Sequence, residues 1–222
     1  MTFKAIMTDD LVSRIASELI AAILAGDFRA GERLNEVHIA RQMTTSRGPV
    51  REALRKLESQ GLVVSRQRRG FFVREFTSGG LYEIYEARLC LELHSATIAV
   101  SRMTADNMAA LWRHYEIIRA AATADDTQTQ VMADFGFHLM IAEIAGNNYI
   151  HGLMRTLATE TLAGIALVGN IARDPVYNAE THLPLLRAFE QGDVDTVRAA
   201  LARHIESGRD EIIRFYEEKQ LS

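Results

Sequence analysis

The sequence predicts a mostly α-helical chain in two parts: a small N-terminal head of short helices closed by a β-hairpin wing, then an all-α antiparallel helical bundle. Three observations predict it. Residues 33–73 run from a short helical pattern through a polar turn into an arginine-studded helix, then into two apolar strands around an Arg-Arg-Gly tip. Charge is segregated: residues 47–74 hold eight Lys/Arg against two Glu, a net +6, whereas the whole chain is −4 and the remainder therefore −10. Beyond Gly80 apolar residues recur at helical spacing and no strand-like alternation is found.

The first predicted helix runs from about Asp10 to Ala25, with Leu11, Ile15, Leu19 and Ile23 on one face and Gly26 as its stop. Asn35 is placed to cap the next helix, which carries Val37, Ile39, Ala40 and Met43, and Thr44-Thr45 make the turn after it. Ser46 is the expected N-cap of the following helix, its hydroxyl able to accept from an unpaired backbone N–H. Pro49 falls in the first turn, where a missing donor costs little. Val50, Ala53, Leu54 and Leu57 recur at i, i+3, i+4, i+7 and face a core, Arg47, Arg51 and Arg55 form a second stripe, and Gly61 supplies a left-handed stop. Residues 62–65 and 71–73 read as strands around Gln67-Arg68-Arg69-Gly70, with Gly70 free to take a positive φ at the tip.

An apolar stripe opposite an arginine stripe suits a helix lying in the DNA major groove, because the guanidinium fork matches guanine O6/N7 or a phosphate two acceptors at a time. Taken alone, the same arginines describe a solvated helix face equally well. The basic island on an acidic chain favours the nucleic-acid reading, since it is an electrostatic footprint for phosphate.

TTSRGPVREALRKLESQGLV, with the wing behind it, resembles the winged helix-turn-helix of the GntR family of bacterial transcription regulators over residues 9–75. The resemblance implies that Arg47, Arg51 and the wing-tip Gly70 lie at the DNA. The expected DNA-facing set is Ser46, Arg47, Gly48, Arg51, Arg55, Arg68, Arg69 and Gly70, with Arg68 and Arg69 on phosphate or the minor groove. One departure is Thr44, where relatives usually carry glycine. A β-branched residue disfavours positive φ, so a slightly reshaped turn is expected there.

With 222 residues, two domains are expected, and Glu75–Gly80 is the best boundary. The second, over 81–218, reads as six helices: 81–101, 105–122, 126–145, 148–171, about 181–190, and 194–218. Breaks fall at Gly146-Asn147, at Asp174-Pro175 and at Gly192-Asp193. No run of 18 apolar residues exists, so no membrane span is expected. The acids in MTFKAIMTDD argue against a secretory leader, and a single cysteine excludes an internal disulfide, so a cytoplasmic location is expected. Cys90 itself reads as a small buried hydrophobe.

Seven histidines occur, at 38, 94, 114, 138, 151, 182 and 204. His38 reads as a surface residue of the head, and His114 and His151 have no evident partners. Asp134 and His138 share a helix face at i, i+4; His182 opens HLPLLRAFEQGD; His204 lies in ALARHIESGRDEI. Spacing between separate helices leaves open whether these are ligands or packed residues. The order D-x-x-x-H, H-x-x-L-L-x-A, R-H-I after such a head resembles the FadR-type effector domain called FCD, over roughly residues 80–215.

That resemblance implies a divalent metal held by Asp134, His138, His182 and His204. An N₃O donor set suits zinc, with nickel, manganese or iron as alternatives. Pro184 implies that the helix of His182 starts near Thr181 or kinks. The resemblance also places Arg88 at the effector pocket; read from spacing alone, Arg88 is equally a surface i, i+4 partner of Glu92.

The expected function is a ligand-responsive DNA-binding regulator, a repressor, not an enzyme. It would act as a homodimer on a palindromic double-stranded operator, with a small organic acid as effector. Two alternatives are a helical metal-dependent hydrolase fused to a DNA-binding head, and a regulator whose metal is purely structural. Against the hydrolase, no HExxH or nucleophile motif is present, and Glu143 is the only acid close in sequence to the ligand helix.

Overall fold

The structure is a computed structural model that describes residues 9–25, 27–168 and 174–220. It divides into two compact units, Met1–Phe76 and Thr77–Ser222. Among the described residues no helix is long and apolar enough to cross a membrane.

In the first unit, α1 (Asp9–Ala25) packs on α3 (Arg47–Ser59), and α2 (Glu36–Gln42) packs on α3 from another side. The predicted stripe of α3 is the core: Val50, Ala53, Leu54 and Leu57 are all fully buried. Ile15, Leu19 and Ile23 of α1 join them, while Leu11, at the end of the same predicted stripe, is exposed. The predicted stop Gly26 lies outside the described residues. In α2, Ile39 and Ala40 point inward and Val37 stays in solvent.

Local signals set the ends of these helices. Asn35 Oδ1 accepts from the backbone N–H groups of Val37 and His38 at 3.1 and 3.2 Å. Ser46 occupies the N-cap of α3 in an extended conformation, but its hydroxyl makes no capping bond. Position is therefore as expected and the side-chain contribution is not. Gly61 takes φ +74 behind the α3 C-cap. Thr44 takes φ +51, so the turn keeps a left-handed residue at this position and is not reshaped around the side chain.

The wing is a three-stranded antiparallel sheet in the order β1-β3-β2: β1 (Arg33–Leu34), β2 (Val63–Arg66) and β3 (Gly70–Val73). Val63 pairs with Val73 and Arg66 with Gly70, closing the hairpin on Gln67-Arg68-Arg69. Gly70 has φ +92 and Arg68 φ +60, so the tip needs two left-handed residues rather than one. β1 has no counterpart in the sequence reading. Two residues carry no period, and this strand exists because β3 offers it an edge.

The second unit holds seven helices among the described residues: α4 (Ser78–Arg102), α5 (Ala105–Thr123), α6 (Thr127–Ile144), α7 (Asn148–Val168), α8 (Pro175–Glu180), α9 (Leu183–Gln191) and α10 (Val194–Gln220). The expectation of six omitted α8. The predicted break at Asp174-Pro175 lies between α7 and α8 and is also a start: Asp174 Oδ1 accepts from Tyr177 N at 3.0 Å, and Pro175 takes the first helical position. Residues 169–171 of the predicted fourth bundle helix lie outside the described residues. Long α4 packs along α10 and against α6 and α7, while α5 packs along α6. Phe137, Leu111, Ile141, Leu185 and Leu201 fill the interior, and Cys90 is exposed, not buried.

Candidate functional site

Two groups of residues carry chemistry, one in each unit. In the head, Ser46, Arg47, Gly48, Arg51 and Arg55 lie exposed along α3, and Arg68 and Arg69 are exposed at the hairpin tip beside half-buried Gly70. Arg47 and Arg51 keep 64% and 58% of their side chains in water, and their contacts with Glu36 are loose, at 4.0 and 3.9 Å. Pairs of that length and exposure contribute little, so both guanidinium groups remain available to an anion.

In the second unit four residues from two helices and one helix junction converge. Asp134 and His138 stand one turn apart on α6, His204 comes from α10, and His182 is the N-cap residue between α8 and α9. Pro184 sits in the first turn of α9, where its missing N–H is an orphan anyway, so α9 begins at Leu183 without a kink. One ligating atom from each of Asp134, His138, His182 and His204 lies within 4.8 Å of all the others. His138 and His182 are buried.

The hydrogen bonds behind each ring decide which nitrogen is bare. His182 Nδ1 is 3.1 Å from the Ala179 carbonyl, which can only accept, so the proton sits on Nδ1. His204 Nδ1 is 2.9 Å from Thr181 Oγ1, whose own proton goes to the Asn178 carbonyl at 2.6 Å. That hydroxyl must therefore accept from Nδ1–H. His138 Nδ1 lies 2.6 Å from Glu92 Oε2, a close contact that comes in off the direct N–H line. In the neutral rings, three Nε2 lone pairs consequently face inward.

His138 Nε2 and His204 Nε2 are only 3.1 Å apart, and His182 Nε2 is 3.1 Å from Asp134 Oδ1. Lone pair against lone pair is repulsive unless a cation lies among them. Burial, and then the neighbouring imidazoles, push the His204 pKa well below its ordinary value, which keeps it in the neutral, ligating form. Burial works to raise the Asp134 pKa, but its close approach to His182, and then to His138 and His204, holds it well below the usual carboxylate range. A ligand-to-ligand spacing of about 3.4 Å follows from ~2.1 Å bonds at tetrahedral angles, inside the range found here. The donor set can hold a metal ion.

A cavity of about 70 Å³ opens beside this cluster, lined among others by Arg88, Asp134, His204, Gln130 and Glu211. Arg88 is 5% exposed and lies between the rings of Tyr85 and Phe135, at 5.0 and 4.9 Å. Its Nε is 2.8 Å from Glu92 Oε1. The surface version of the Arg88–Glu92 pair is thus corrected: both partners are buried, and Arg88 lines the cavity. Gln130 Nε2 donates to the Pro175 carbonyl at 2.8 Å and ties α6 to α8. Of the remaining histidines, His38 and His94 are exposed. The sequence reading missed the supporting layer of Glu92, Ala179 and Thr181. Only Glu92 left a signal, its i, i+4 spacing from Arg88.

Residues 11–73 match the family described as bacterial regulatory proteins, gntR family, and residues 83–207 match the FCD domain. The chain belongs to the GntR family and carries an FCD domain. The Nta operon transcriptional regulator of Aminobacter aminovorans is 27% identical over 186 residues, covering 84% of this chain and 87% of that protein. The "Probable D-xylose utilization operon transcriptional repressor" of Paenarthrobacter nicotinovorans is also 27% identical, covering 92% and 89%.

Among solved structures, the protein described as "a putative transcriptional regulator GntR from Rhodococcus sp. RHA1" aligns with a TM-score of 0.69 at 26% identity, covering 91% of this chain and 97% of that one. E. coli McbR/YncC shares the fold with a TM-score of 0.72. These relatives are transcriptional regulators and not enzymes, so the hydrolase alternative falls. This GntR-family protein is a DNA-binding transcriptional regulator.

Proposed function

We propose that the protein is a metal-containing, effector-responsive repressor acting as a homodimer on a palindromic operator. The single observation that carries the metal reading is the inward convergence of three histidine Nε2 lone pairs and the Asp134 carboxylate, each imidazole held from behind by an oxygen. Asp134, His138, His182 and His204 would hold the ion. Zinc suits the donor set, and nickel, manganese or iron fit it less closely. When bound, the metal supplies a positive centre at one end of the cavity.

Arg88 supplies a second positive end. Its Nε is taken by Glu92, and the guanidinium it anchors lines the cavity. An anion of a few heavy atoms, a small organic acid, fits between two such poles and the available volume. On the head, Arg47 and Arg51 would reach base edges or phosphates from the major groove, with Ser46, Gly48 and Arg55 beside them, and Arg68, Arg69 and Gly70 of the wing would follow the backbone. Two heads related by a two-fold axis would match a palindrome.

Effector and DNA would then bias the same two states of the dimer, and coupling between them is reciprocal. Calorimetric titration of small carboxylates, with and without operator DNA, tests the reading. Operator should change effector affinity by the factor by which effector changes operator affinity. Protein purified without a tag or chelator should carry near-stoichiometric metal by elemental analysis. If metal is found and no organic acid alters the DNA complex, the regulated reading gives way to a purely structural metal.

A further inference from the structure

Glu92 stands at the middle of α4 and is 3% exposed. Its oxygens face two different groups: Oε1 accepts from Arg88 Nε at 2.8 Å, and Oε2 lies 2.6 Å from His138 Nδ1 in a close contact off the N–H line. A carboxylate at that depth is costly unless each oxygen meets a cation or a donor. One rigid, planar group of three heavy atoms thus spans a ring of the metal cluster and the arginine of the effector cavity. Neither Asp134 nor the other two histidines has such a link: His182 rests on a backbone carbonyl and His204 on a hydroxyl.

We propose that Glu92 is a positioning residue that sets the His138 ring for the metal and couples it to Arg88. The inference rests on the metal reading given above and goes beyond it by assigning the link between the two ends of the cavity. With the carboxylate 2.6 Å from Nδ1, the proton of the neutral ring is favoured on that side, which leaves Nε2 bare and raises its basicity as a ligand. By accepting from Arg88 Nε, it fixes the plane of the guanidinium that lines the cavity. A pull on the guanidinium by an anion is carried through one carboxylate to a metal ligand.

The test uses Co²⁺ as the probe, titrated into the full chain after chelation and followed by its d–d absorption. Glu92→Gln keeps the shape but offers one acceptor to two donors. Its Co²⁺ affinity should fall about 10–100-fold, the usual consequence of losing an outer partner of a ligand, and its absorption bands should move. Should the orphaned Arg88 charge prevent folding, the double variant Arg88→Met/Glu92→Met removes both charges together and should show the same loss. Wild-type affinity and bands in whichever variant folds would overturn the positioning role, even if the melting temperature drops, since packing alone would not move the spectrum. A wild-type protein that gives no d–d bands at all would instead take down the metal reading, and this inference with it.

Discussion

Removing the metal should weaken the helical unit by an amount the site itself sets. His138 Nε2 and His204 Nε2 lie 3.1 Å apart, and His182 Nε2 lies 3.1 Å from a carboxylate oxygen of Asp134. The folded unit gathers these groups and the unfolded chain scatters them, so binding energy is folding energy. At a free metal concentration of 100 times Kd, the linkage term is about 2.7 kcal/mol. For a unit spanning Thr77–Ser222, each kcal/mol moves the midpoint by roughly 2–4 °C. Chelation should therefore lower its thermal transition by about 5–11 °C, and zinc should restore it. The assay is a circular-dichroism melt of stripped protein with and without added metal. Asp134→Asn, which keeps the size and loses the anionic ligand, should show a much smaller metal-dependent shift. An unchanged midpoint on adding zinc, nickel or manganese to stripped wild-type protein would refute the reasoning.

Four further outcomes follow from the same structure. Alanine at Arg47 or at Arg51 should cost ~1–3 kcal/mol of operator affinity at fixed salt if each reaches a base; wild-type binding by both variants would remove α3 from the groove. Loss of Arg68 or Arg69 should instead flatten the dependence of log affinity on log salt by about one each, read from titrations at several salt concentrations. Leu54 is fully buried in α3, so Leu54→Ala should destabilise the head by ~2–5 kcal/mol in denaturant unfolding. Thr44 sits at φ +51, where a β-branched residue is strained by ~1–3 kcal/mol. Thr44→Gly should relieve part of this and raise the unfolding midpoint of the head; a lower midpoint would show that the threonine side chain contributes more than its backbone strain costs.

What the sequence determined by itself was local. The period of Val50, Ala53, Leu54 and Leu57, the Asn35 cap, Gly61 after the helix and Gly70 in the wing each depend on residues within a turn or two, where spacing and backbone sterics decide the outcome. Asp134 and His138 share a face for the same reason. Local reading was incomplete where one signal has two meanings: Asp174-Pro175 separates two helices, and proline at the first helical position also begins α8. Tertiary structure decided what no spacing records. β1 is two residues long and exists through its pairing with β3. Arg88 and Glu92 would form the same i, i+4 pair on a surface or in a core, and only the packing of α4 among α6, α7 and α10 buries them. His182 and His204 are 22 positions apart and reach α6 from a helix junction and from a different helix; the contacts that bring four ligating atoms within 4.8 Å are made by the bundle core. Convergence of that kind depends on the relative placement of whole helices, which is set by side chains remote from the site in both sequence and space.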